Sequence, residues 1–108
     1  MPALRSSIEL LQPYEKFKTF TLTTSSSEAS TILTVSDYMI EANKITLIVD
    51  KDDLYVNFGG DATTDGTSML VPAGTGYTED FIRLTGKISI MRAGNHNGRI
   101  IGAVWGTN

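Results

Sequence analysis

Alternation of apolar and polar residues on both sides of a short acidic break is the feature that most constrains this chain. The segment 44–50 (KITLIVD) places Ile45, Leu47 and Val49 at alternate positions, and the segment 54–58 (LYVNF) repeats the pattern. A period of two is typical of half-buried β-strands. Two such strands around a tight polar turn predict a β-hairpin from Lys44 to Gly59.

The rest of the chain continues this pattern of short strands and turns. Turn-forming residues recur every 8–12 residues, as in sandwiches and small barrels. With 108 residues, the chain is long enough for one domain. We therefore predict an all-β fold, a single antiparallel β-sandwich or jelly-roll-like domain of about eight strands at 16–108, after an N-terminal arm at 1–15. The strands are predicted at 16–22, 30–35, 38–41, 44–50, 54–59, 69–72, 80–84, 87–93 and 99–105.

The predicted core collects the apolar positions of these strands, since large apolar side chains in half-buried strands face the interior. Its members are Phe17, Phe20, Leu22, Ile32, Leu33, Val35, Ile45, Leu47, Val49, Val56, Phe58, Leu70, Phe81, Ile82, Leu84, Ile88, Ile90, Ile100, Val104 and Trp105.

The first fifteen residues differ in character from the rest of the chain. Pro13 ends any helical turn there, because the residue before a proline avoids the helical region. The apolar side chains of this arm need a surface to cover, on their own domain or on a neighbour. Trp105 is expected to anchor the core or an interface. The candidate interface residues are Leu4, Ile8, Leu10, Leu11, Tyr14 and Trp105.

Composition excludes several classes of function. The net charge is −3 and the nine basic residues are scattered, which argues against nucleic acid as a ligand. The chain has no cysteine, so disulfides and thiolate metal sites are excluded. No apolar run is long enough to span a membrane, and the N-terminus lacks a signal-peptide pattern. The absence of cysteine fits a cytosolic site of synthesis, and we expect no membrane or nucleic-acid partner.

Two acidic loops offer oxygen ligands for calcium. The turn 50–53 (DKDD) contributes Asp50, Asp52 and Asp53, and the loop 60–67 (GDATTDGT) contributes Asp61 and Asp65. The turn lacks the ligand spacing of an EF-hand, and the loop, which lacks the phosphate-binding motif GxxxxGK[ST], could bind calcium or a sugar. The favoured interpretation is turn chemistry, in which Asp and Thr side chains bond to the nearby backbone. Calcium at these five carboxylates stays the alternative.

His96 is the single histidine, in the loop 94–98 (GNHNG). A catalytic histidine needs an orienting carboxylate and a nucleophile within reach, and no such set lies nearby in sequence. A cupin-like metal site clusters several histidines with a carboxylate, which one histidine does not supply. We therefore expect no catalytic residue, no cofactor and no enzymatic activity.

Three segments in order resemble small virion structural proteins of tailed bacteriophages. They are LYVNFGGDAT at 54–63, LVPAG at 70–74 and ISIMRAGNHNG at 88–98. The resemblance implies a capsid decoration (cement) or head–tail and tail accessory protein. It also implies homo-oligomers that contact capsid, portal or tail proteins within the virion, after synthesis in the cytoplasm of the host bacterium. The alternative is a carbohydrate- or receptor-binding β-sandwich module, with or without calcium.

Overall fold

The computed structural model describes residues 16–107, which form eight β-strands and one short 3₁₀ helix. Most of the strands are rich in β-branched or aromatic residues, which suit a pleated surface. The strands are β1 (Lys16–Thr23), β2 (Ser30–Thr34), β3 (Glu41–Lys51), β4 (Leu54–Phe58), β5 (Met69–Val71), β6 (Gly76–Leu84), β7 (Lys87–Arg92) and β8 (Arg99–Thr107), and the helix is Val35–Asp37.

The strands form two four-stranded antiparallel sheets that pack face to face. Sheet A has the order β1-β8-β3-β6, and sheet B has the order β2-β7-β4-β5. This order is that of an eight-stranded jelly roll. The prediction of an all-β antiparallel sandwich of about eight strands is confirmed. The predicted arm at 1–15 lies outside the described residues, and so do its interface candidates Leu4, Ile8, Leu10, Leu11 and Tyr14.

The predicted hairpin is wrong, because β3 and β4 lie in different sheets. β3 pairs with β6 and β8, whereas β4 pairs with β5 and β7. The acidic turn between them crosses from one sheet to the other. Both strands bury alternate side chains against the same core from opposite sides. The alternation of apolar and polar residues therefore predicts correctly which face of each strand is buried. It does not predict which strand is the hydrogen-bonding partner.

Two strand boundaries also differ from the prediction. The segment 38–41 is not a separate strand, because the chain first makes the 3₁₀ turn after Thr34 and then enters β3 at Glu41. β6 begins at Gly76 rather than at Asp80, and its first five residues pair with β3. Within residues 16–107, no helix is long and apolar enough to cross a membrane.

The core lies between the sheets and is aliphatic. Its fully buried large side chains include Ile45, Val49, Leu54, Val56, Ile88, Ile90, Ile100 and Val104. Four predicted core residues lie elsewhere. Phe17, Leu70 and Phe81 are exposed, and Trp105 is only partly buried. Phe17 and Trp105 occupy the outer side of sheet A. On β5 the buried position is occupied by the next residue, Val71, and Leu70 is exposed.

Candidate functional site

The outer face of sheet A carries a pair of aromatic rings at its β1 end. Phe17 and Trp105 are register partners on β1 and β8, and their ring centroids lie 5.1 Å apart. The Lys44 ammonium on β3 lies 5.3 Å from the centre of the Trp105 ring, within cation–π range. Phe17 is 57% exposed. A large part of this aromatic surface is therefore available to a partner.

An aliphatic pair continues the apolar surface along the same face. Ile48 on β3 and Ile101 on β8 are register partners, and they are 44% and 41% exposed. The row between the aromatic and aliphatic pairs is made of small or hydroxyl side chains, Thr19, Ala103, Thr46 and Thr78. We call Phe17, Trp105, Ile48, Ile101 and this row the outer face of sheet A. Covering it removes apolar surface from water without desolvating many charges.

Ion pairs border this face on two sides. Lys44 Nζ lies 3.6 Å from Asp80 Oδ1 across β3 and β6. Arg99 Nε donates to both carboxylate oxygens of Asp50 at 3.0 Å, and Arg99 also pairs through Nη2. The hydrogen bonds from Arg99 hold the pKa of the Asp50 carboxyl below its usual range. The aromatic and aliphatic pairs are thus separated by a row that is mostly threonine, and the face is bordered by charged pairs.

The two calcium candidates of the loop 60–67, Asp61 and Asp65, are bonded to other residues of the protein. Asp65 accepts hydrogen bonds from Thr63 Oγ1 at 2.5 Å and from Thr67 Oγ1 at 2.6 Å, and it also accepts from the Thr67 backbone N–H. These donors lower the pKa of Asp65 from 3.8 to about 2. Asp61 forms an ion pair with Lys87. Asp65 thus stabilises its own turn, and Asp61 pairs with a lysine at the surface.

The acidic turn likewise does not converge with the loop. Asp50 is paired with Arg99, and Asp53 Oδ1 accepts the Ala73 backbone N–H at 2.8 Å. Asp52 has a left-handed φ of 51° at the tip of the turn. Among residues 16–107, no group of three or more histidine, cysteine or acidic side chains is arranged to hold a metal ion.

A polar cavity at one end of the sandwich joins two motifs that are distant in sequence. Its volume is about 230 Å³, and it is lined by Asp52 and Asp53 of the acidic turn and by Asn95 and His96. We call it the loop-end cavity. Carboxylate and amide oxygens there can accept hydrogen bonds from hydroxyl groups. Sequence reasoning treated the two loops separately, because only the crossing of the chain between the sheets brings them together.

Comparison with known proteins finds likeness in solved structures only, since no protein-family model and no curated protein matches. One solved structure is a cupin-2 domain containing protein from Shewanella frigidimarina, with 12% identity and a TM-score of 0.47 over 82% of this chain and 70% of the other. Another is an RmlC-like cupin protein from Desulfovibrio desulfuricans, with 9% identity and a TM-score of 0.35 over 82% and 83%.

The expectation that the protein is not an enzyme is contradicted by these matches. Both structures are described as cupin proteins. The jelly roll is shared by cupins, lectins and viral capsid proteins, so the fold does not decide between catalysis and binding. The exclusion of an enzyme is therefore withdrawn.

The interior of this jelly roll does not fit a clustered-histidine metal site. Between the sheets the buried side chains are almost all aliphatic, and the buried polar residues in the described part of the chain are Thr24 and Ser89. His96 lies at the loop-end cavity instead. The side chains of residues 16–107 therefore supply no set of imidazoles or carboxylates for such a metal.

The sequence carried a signal for the outer face of sheet A that the core prediction overlooked. Ile48 lies out of phase with Ile45, Leu47 and Val49, so an apolar side chain stands where a solvent-facing strand position is usually polar. Apolar residues at outward positions of two paired strands indicate a covered surface. The register that brings Ile48 beside Ile101 is what turns the two residues into a patch.

Proposed function

We propose that the protein is a structural protein of a tailed-bacteriophage particle, a capsid decoration or head–tail and tail accessory protein that acts through protein–protein contacts. The outer face of sheet A is the observation that carries this proposal. Its aromatic and aliphatic pairs are uncharged and are bordered by ion pairs, as apolar side chains at the core of a binding interface are bordered by a polar rim. Large aromatic side chains such as Trp105 are the usual energetic anchors of such interfaces.

The N-terminal arm joins the domain at the start of β1, next to the outer face of sheet A. Lys16 pairs with Gly106 at the edge of sheet A, and Phe17 follows it directly on the outer face. The apolar side chains of 1–15 are predicted to need a surface to cover, and the chain enters β1 beside the outer face of sheet A. They act on the corresponding face of a neighbouring virion protein, with other copies of this chain and capsid, portal or tail proteins as the partners.

The test is incorporation of variants into particles of the phage whose genome carries the gene. Mass spectrometry of density-gradient-purified particles is expected to find the chain in stoichiometric amount. Trp105→Ser and Phe17→Ser are expected to reduce incorporation strongly, whereas Thr64→Ser in the exposed loop 60–67 leaves it unchanged. Deletion of 1–15 is expected to leave the domain folded by circular dichroism and to weaken incorporation. Absence of the chain from the particles overturns the proposal.

The loop-end cavity supports a second candidate, the binding of a carbohydrate or another polyhydroxylated receptor group. Its two carboxylates and the Asn95 amide accept and donate hydrogen bonds as sugar hydroxyls require. Glycan-array binding that is lost in Asn95→Ala and His96→Ala, and kept in Thr19→Ser, would favour it. The absence of any glycan signal from the unaltered chain removes it. Asp53 is unsuitable for the test because its carboxylate also bonds to the Ala73 backbone.

A further inference from the structure

Phe81 is the most exposed large apolar side chain in the described part of the chain. It is 93% exposed and lies on β6, which is an edge strand of sheet A. Its φ of 62° is left-handed, a conformation that costs an L-residue roughly 1–2 kcal/mol. For a bulky residue this conformation is a genuine outlier. Both the exposure and the backbone conformation are unfavourable for the isolated domain.

The bulge that presents Phe81 is held in place by specific contacts. Between the paired positions 42/84 and 44/80, β3 has one residue where β6 has three. The single residue, Asn43, donates through Nδ2 to the Ile82 carbonyl at 3.2 Å and to Glu41 Oε1 at 2.8 Å. Glu41 also accepts from Arg83 Nε at 3.1 Å. These bonds lower the pKa of Glu41, first through Asn43 and then through Arg83. The protrusion is thus a built feature of the edge.

A cleft opens between the sheets along the same edge. Its volume is about 190 Å³, and its apolar walls include Ile45, Phe58, Tyr77 and Ile82. The Phe58 and Tyr77 rings are stacked, with centroids 6.1 Å apart. Ligand pockets usually span about 300–1,000 Å³. This cleft is therefore on the scale of a single inserted side chain rather than of a small-molecule ligand.

We infer that the β6 edge is a self-association surface, in which Phe81 of one copy inserts into the cleft of a second copy. A protruding aromatic group and an apolar cleft on one edge are self-complementary, which is what a two-fold dimer requires. Each copy contributes one protrusion and one cleft. The bulge disfavours extension of the sheet by strand pairing across this edge, so side-chain insertion is the mode of contact.

The charged side chains on the rim of the cleft also favour a second copy of this chain as the partner. Glu79 and Arg83 both line the cleft, and they lie two residues before and two residues after Phe81. A two-fold axis near Phe81 therefore brings the Glu79 carboxylate of one copy toward the Arg83 guanidinium of the other. Opposite charges at corresponding positions favour this antiparallel arrangement and disfavour a parallel one.

The inference deepens the proposed assembly role by naming a partner and a surface, and its test is independent of phage particles. Sedimentation equilibrium of the full chain is expected to show a monomer–dimer equilibrium with a Kd below about 1 mM. Phe81→Ser is expected to weaken dimerisation at least tenfold. Ile40→Ser, at another exposed apolar site, leaves it unchanged. A wild-type monomer throughout that range, or an unaltered Phe81→Ser dimer, overturns the inference.

A mixing experiment separates the intermolecular contact from effects within one copy. Glu79→Arg and Arg83→Glu each place like charges opposite one another in their own dimers, so each variant alone is expected to be monomeric. In a one-to-one mixture both inter-copy pairs become opposite in sign, and the dimer mass is expected to return. Arg83→Glu also loses the bond to Glu41 within its own copy. Mixing leaves the contacts within each copy as they were, so a dimer that returns on mixing reports the contact between copies. A mixture that stays monomeric overturns the two-fold arrangement.

Discussion

Asp50 on β3 accepts hydrogen bonds from Arg99 on β8, so the first carboxylate of the acidic turn is already neutralised by a fixed cation. The pair closes one border of the outer face of sheet A. Asp53 has a different partner, because its Oδ1 accepts the Ala73 backbone N–H. An acidic run in the sequence is thus divided between two local structural tasks.

This division predicts no stabilisation by calcium. Calcium at about 5 mM exceeds the Kd of even weak extracellular sites. An ion that binds only the native state raises the melting temperature. Since no such site is expected, the melting temperature with calcium should differ from that with chelator by less than about 1 °C. Differential scanning calorimetry makes the measurement. A rise with calcium that the chelator reverses would show that carboxylates converge on an ion.

The pKa of Asp65 predicts that the contribution of the loop 60–67 to stability decreases in acid. The carboxylate of the folded protein titrates at about 2, below its ordinary 3.8. A depressed folded-state pKa means that the contribution of Asp65 to stability is complete above about pH 4 and is lost as the pH falls toward 2. Carboxyl chemical shifts measured by NMR against pH check this value.

Thr63→Val with Thr67→Val is the matched control for Asp65. Each substitution removes a hydroxyl donor at nearly constant shape. The pKa of Asp65 is expected to rise toward its ordinary value, because the hydrogen bonds from Thr63 and Thr67 are the main causes of its depression. A wild-type midpoint near 3.8 would contradict the loop geometry.

Gly102 on β8 lies where the backbone of β3 approaches closely. A Cβ at this position would lie 2.3 Å from the Thr46 carbonyl oxygen and 2.6 Å from the Phe20 ring. Gly102→Ala is expected to lower the free energy of unfolding by about 1–3 kcal/mol through overpacking. Gly94→Ala, whose Cβ would meet no atom within 4 Å, is expected to change it by less than about 0.5 kcal/mol. Equal values in urea denaturation would refute the close approach.

The left-handed backbone at Phe81 predicts an unusual order of stability. Phe81→Gly removes the steric cost of a positive φ, roughly 1–2 kcal/mol, and adds the flexibility of glycine in the unfolded chain, roughly 0.5–1 kcal/mol. We expect Phe81→Gly to be about 0.5–1 kcal/mol more stable than Phe81→Ala, which keeps the strain. Urea denaturation at low protein concentration compares the monomers. Greater stability of the alanine variant would place Phe81 in ordinary strand geometry.

Much of the fold was predictable because strand formation depends on local residue chemistry. The positions Ile45, Leu47 and Val49 are buried as the alternation predicts. The pairing of β3 was not predictable from the same residues, because sheet partners are chosen by packing over the whole chain. The candidate sites divide in the same way. Asp65 behaves as a local loop residue, whereas the meeting of Asp53 and His96 at one cavity depends on the chain path.

By itself the sequence determined an all-β chain with one aliphatic core and polar, acid-bearing turns, since period-two patterning and turn chemistry are properties of neighbouring residues. Only the tertiary structure decided which faces are covered. Register places Ile48 beside Ile101 and Phe17 beside Trp105 on an exposed surface, and a bulge turns Phe81 away from the core. A shift of one residue exchanges the two faces of a strand. The assignment of interface and core therefore depends on long-range pairing that no short segment encodes.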